Sequence, residues 1–94
     1  MIERAADRLF VDVPMVMGNA KALLAAGETV LPAKGAALLD FDRVREADSS
    51  ALAVMLAWLR RASQLGVQVS FANVPQGVRT LAELYGVTEL LPLV

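Results

Sequence analysis

The chain has 94 residues, enough for one hydrophobic core and too few for two. Hydrophobic residues make up 56 % and charged residues 20 %, a balance that folds, while nine basic against ten acidic side chains leave a net charge of -1 and exclude binding to nucleic acid by basic excess. With no Cys and no His, the chain lacks disulfides, thiolate chemistry, the commonest general base and the usual zinc ligands, so it reads as a non-enzyme that needs no cofactor or metal.

In chain order, Ile2 to Ala5 and Arg8-Leu-Phe-Val-Asp12 are short β-prone runs either side of Ala6-Asp7, which predicts a hairpin. Pro14 follows and marks a strand end or an edge. Asn19 is placed to cap a helix running through Ala20, Leu23, Leu24 and Val30 to about Leu31. Gly27 weakens that helix by about 1 kcal/mol relative to Ala.

The apolar run Ala36 to Phe41 has the length of a buried strand, and the polar segment Asp42 to Asp48 is a loop. A long helix is predicted from Ser49 to Leu65, with Gly66 placed to end it. Val67 to Phe71 alternates as a strand does. Pro75 and Gly86 bracket a third helix whose apolar stripe is Val78, Leu81, Ala82 and Tyr85. Thr88 to Val94 supplies one last turn packed on the body. Strands alternating with helices, after an initial hairpin, predict a single small α/β domain over residues 1–94: a mixed sheet flanked by helices. Its expected core includes Leu39, Phe41, Leu52, Met55, Leu56, Val69 and Leu81.

Two features of the long helix carry functional information. At its start stand Asp48, Ser49 and Ser50. A hydroxyl there can simply cap the helix, or it can accept a phosphate whose charge the free N–H groups and helix dipole stabilise. Along the helix no charge appears before Arg60. Leu52, Met55, Leu56 and Leu59 form one apolar stripe, and Ala51, Val54 and Trp58 form a second. Trp58 either packs on a neighbouring helix within the domain or anchors an exposed docking patch. A mean hydropathy of +0.52 favours a partner that covers part of the surface. Residues 1–7 carry Glu3, Arg4 and Asp7 and lack the apolar core of a signal peptide, and no uncharged run approaches the ~20 residues of a spanning helix. A cytoplasmic location is expected.

The segment Leu39-Asp-Phe-Asp-Arg-Val-Arg-Glu-Ala-Asp-Ser-Ser-Ala-Leu-Ala-Val-Met-Leu56 resembles the central signature of STAS domains, in which a buried strand, a polar loop and a Ser-led helix follow one another. Ala47 to Trp58, Phe71-Ala-Asn-Val-Pro75 and Leu81-Ala-Glu-Leu-Tyr-Gly-Val87 are most similar to MlaB-type members. The resemblance implies a non-enzymatic cytoplasmic subunit of an ABC transporter, peripheral to the inner membrane, that binds and supports the ATPase subunit. Such a complex moves phospholipids and maintains outer-membrane lipid asymmetry. By position Ser49 matches the family's Ser or Thr at the partner-facing end, with Asp48 and Ser50 beside it. The alternative the family offers is an anti-sigma-factor antagonist switched by phosphorylation of Ser49. This chain departs from those antagonists in carrying Ala51 where many have Gly, and Val13-Pro-Met-Val-Met17 where a Gly-Glu-Leu-Asp-like turn is common.

Overall fold

A computed structural model describes residues 1–94. The elements are β1 (Ile2–Ala5), β2 (Arg8–Val11), α1 (Met17–Val30), β3 (Gly35–Asp40), α2 (Ser49–Leu65), β4 (Val67–Ala72), α3 (Gln76–Leu84) and a 3-10 turn at Thr88–Leu90. The sheet order is β1-β2-β3-β4, antiparallel in the hairpin and parallel thereafter. This is the mixed sheet expected from the strand and helix signals.

Two successive β-α-β crossovers moving the same way across the sheet place α1 and α2 on one face of it. The strand side chains that meet the helices are Leu9, Val11, Leu39, Val67, Val69 and Phe71, all buried. The alternate residues Phe10, Leu38, Gln68 and Ser70 stay half-buried or exposed on the opposite face, which no helix covers. There Arg43 lies over the Phe10 ring, 4.1 Å from its centroid, and pairs with Glu3.

Most of the expected core is in place. Leu39, Phe41, Leu52, Met55 and Val69 are buried, whereas Leu56 and Leu81 sit at its margin, packed against it but partly exposed. Tyr85 departs further from its predicted stripe: it lies past the last residue of α3 and is 62 % exposed. The helix ends at Leu84, one residue before it, and Tyr85 is the C-cap. α3 begins at Gln76, so Pro75 stands just outside it as the N-cap residue. Beyond the 3-10 turn the chain runs extended along β4, where Phe71 N–H donates to Pro92 O and Val94 N–H donates to Phe71 O, both at 2.9 Å. That tail covers an otherwise open strand edge.

The α1–α2 seam is built around Trp58. Its side chain is wholly buried and its Nε1 donates to the Leu24 carbonyl at 3.3 Å. Gly27 is what admits it: a Cβ on Gly27 would lie 2.0 Å from Trp58 Nε1. The glycine that the sequence marks as a weak point in the helix is therefore the notch into which the largest side chain of the next helix fits.

Candidate functional site

Both crossover helices begin at the carboxyl edge of the parallel strands. The segments leading into them run side by side: Met15 N–H donates to Glu46 O at 2.9 Å, and Asp48 N–H donates to Met15 O at 3.1 Å. This short ladder brings the first turns of α1 and α2 together.

Asp48 then joins them. One carboxylate oxygen accepts from Ser50 N–H at 2.8 Å, and the other accepts from Met17 N–H, the first residue of α1, at 3.0 Å. Ser50 Oγ donates to the same carboxylate. Hydrogen bonds from the Ser50 hydroxyl, Met17 N–H and Ser50 N–H hold the Asp48 carboxyl below its ordinary range, against a small opposing effect of burial. A single side chain thus satisfies free N–H groups at two helix starts.

This geometry corrects three sequence expectations. The cap of α2 is Asp48, with Ser49 already the first helical residue. Ser49 is exposed and stands outside the Asp48–Ser50 hydrogen bonds. Asn19 does not cap α1, which begins two residues earlier with Val16 at the N-cap; the Asn19 side chain donates instead to Pro14 O at 2.9 Å. Finally, Ala51, Val54 and Trp58 do not form an exposed patch. All three are buried, because α1 lies directly on that side of α2. Of the six residues singled out by sequence, Asp48, Ser49 and Ser50 come together at an accessible end of the molecule, and the other three lie in the seam below.

Sequence reasoning missed Met17 and Asp40. Met17 is 76 % exposed beside Asp48 and extends the surface around Ser49. Nothing in the hydropathy pattern distinguishes it from a core methionine. Asp40, the last residue of β3, is only 2 % exposed. It accepts from Arg8 Nη1 at 2.6 Å, Asn73 Nδ2 at 3.0 Å and Asp42 N–H at 2.9 Å. Burial alone raises its pKa, but Asn73, the Asp42 amide and Arg8 together outweigh burial and hold the carboxyl below its usual range. Asn73 adopts the left-handed region (φ 56°), a conformation Asn tolerates better than most residues. The network ties the start of β2 to the ends of β3 and β4 and so anchors the loop that leads to Ser49.

The family described as "Mlab, STAS domain" matches residues 3–92. The chain belongs to this STAS family. Among solved structures, the STAS domain is similar to a putative anti-sigma factor antagonist from Thermotoga maritima, with a TM-score of 0.75 and 15 % identity over 99 % of this chain and 83 % of that one. It is also similar to a sulfate transporter family protein from Wolinella succinogenes, with a TM-score of 0.67 and 17 % identity over 89 % of this chain and 71 % of that one. No curated protein matches the chain. At these identities the structural likenesses establish the shared fold. No group of three or more carboxylates is arranged to hold a metal ion in this STAS domain, and none of its helices is long and apolar enough to cross a membrane.

Proposed function

We propose that the chain is a non-catalytic STAS subunit that docks on the ATPase subunit of a phospholipid-transporting ABC complex, at the cytoplasmic face of the inner membrane. In that role it supports the assembly and activity of the ATPase and, through it, outer-membrane lipid asymmetry. The observation that carries this reading is the family match along residues 3–92. Ser49, Asp48 and Met17, exposed at the joined starts of α1 and α2, support a contact surface at this end. Because Asp48 clasps both helices, this end is rigid, and a partner has little ordering entropy to overcome there.

Co-purification with the ATPase subunit tests the reading. Ser49→Arg places a long cation at the centre of the contact, where burying an unpaired charge costs several kcal/mol, and association should weaken by at least about 100-fold. Circular dichroism should show the variant folded, since Ser49 is exposed. Unchanged binding by the folded variant moves the interface elsewhere. Failure of the parent chain to bind any ATPase subunit removes the transporter role.

One observation favours a second reading, that of an anti-sigma-factor antagonist: the Ser49 side chain is free and exposed at a helix start. A phosphate there would bring about -2 charges beside Asp48, repelling its carboxylate while competing for the same N–H groups. Mass spectrometry of the natively expressed chain separates the two. Phosphate on Ser49 supports the antagonist, and its absence across growth conditions supports constitutive docking.

A further inference from the structure

A shallow trough runs along the outer side of the α1–α2 seam. At its upper end the floor is almost wholly apolar: Ala20 and Leu24 from α1, with Ala53, Val54 and Ala57 from α2. Ser50 closes this end, so the trough opens directly onto the joined helix starts. Lys21 borders this end, and farther along the walls carry Glu28, Arg60 and Arg61. The three ion pairs of the molecule, Met1–Asp12, Arg8–Asp40 and Arg43–Glu3, involve none of these four residues. Three free cations against one carboxylate leave the rim electropositive in a chain whose net charge is -1.

We infer that this trough receives an acidic amphipathic helix of a partner protein. The inference rests on the docking role proposed above and adds the element that docks. Small side chains at Ala20, Ala53 and Ala57 let another backbone approach closely, and the two flanking helices present parallel walls. From Ser50 to Gln64 the groove runs along α2 for about 21 Å at ~1.5 Å per residue, the length of roughly four turns of helix. An incoming helix with Leu or Ala at i, i+3, i+4 and i+7 fills the floor, and Glu or Asp on its flanks meets Lys21, Arg60 and Arg61. A second copy of this chain fits poorly, because an isologous contact would set two such faces together, each carrying Lys21, Arg60 and Arg61 against the single carboxylate of Glu28. A membrane surface fits poorly as well, since a concave trough leaves its apolar floor out of reach of a flat bilayer.

Two synthetic 18-residue helical peptides test this directly: one with a Leu/Ala stripe flanked by Glu, the other with the same stripe flanked by Lys. Titrated into the isotope-labelled full chain, the Glu peptide should shift the amide resonances of Lys21, Leu24, Ala53, Ala57 and Arg60. It should bind at least tenfold tighter than the Lys peptide, and the Arg60→Glu/Arg61→Glu double variant should lose that preference. Both arginines are exposed, so the variant should fold as the parent does. Equal affinity for the two peptides, or shifts confined to other elements, overturns the inference. So do shifts in these residues on concentrating the chain alone, or on adding phosphatidylglycerol vesicles. The measurement uses no ATPase subunit, so its failure leaves the docking at Ser49 standing, and a chain that fails to bind the ATPase can still bind the Glu peptide.

Discussion

Gly27 shows how a residue's role depends on what faces it. In an isolated helix, Gly27→Ala adds stability, since Ala is the better helix former by about 1 kcal/mol. In this fold the new methyl collides with the Trp58 indole, and overpacking of a filled core costs typically about 1–3 kcal/mol. The variant should therefore be less stable than the parent, with Tm lower by several degrees in a thermal melt. A rise in Tm would mean that the indole can move aside. Asp40 gives a second test at this scale. Asp40→Ala leaves the Asp42 amide and the Arg8 and Asn73 side chains without their acceptor, and should cost about 1–3 kcal/mol by chemical denaturation.

At the scale of the element, α2 is the part of the chain that the sequence describes best. Its bounds, Ser49 and Leu65, and its glycine stop at Gly66 follow from the pattern of caps and apolar residues, and the structure has the same bounds. Its cap was legible only as a cluster. Asp48, Ser49 and Ser50 are all competent, and the choice of Asp48 depends on Met17 N–H arriving from 31 residues away, which no local pattern encodes. The same holds for Trp58: helical spacing places it on a face, but only the position of α1 decides that the face is internal. Two comparisons check these assignments. Asp48→Ala should lower Tm by about 5 °C, the scale of a lost cap in a domain of this size, whereas Ser49→Ala should leave Tm nearly unchanged. Likewise Met55→Ala should cost about 2–5 kcal/mol and Leu56→Ala clearly less, because Met55 is fully buried and Leu56 is not.

For the whole molecule, the two perturbed carboxylates each add an acid-sensitive contribution to stability. Asp40 and Asp48 both have folded-state pKa values below the ordinary 3.8. Each therefore contributes its full stability above that value and loses it as pH falls through the lower, folded value. Tm should be flat with respect to these groups above about pH 5 and fall below about pH 4. Asp40→Asn should flatten part of that fall; an acid limb identical to the parent's would show that other carboxylates dominate it. Fold class and the succession of strands and helices along the chain were legible in the sequence, since they follow from alternation and turn residues, whereas the order of the strands across the sheet came only with the structure. The surface was much less so. Arg8, Asp40 and Asn73 meet across three strands, and the trough between α1 and α2 exists only once the helices are laid side by side.

The closely fitted indole has a practical consequence. Trp58 is the only tryptophan in the chain, and Tyr85, the only tyrosine, lies on the surface. Fluorescence excited at the red edge therefore reports on one place alone, the joint between the two crossover helices. A native emission maximum well to the blue of free tryptophan is expected from so enclosed a ring. Whatever prises that joint open, whether heat, denaturant or an arriving partner, will shift the light towards the red, so the molecule carries its own optical gauge of whether its two main helices are still together.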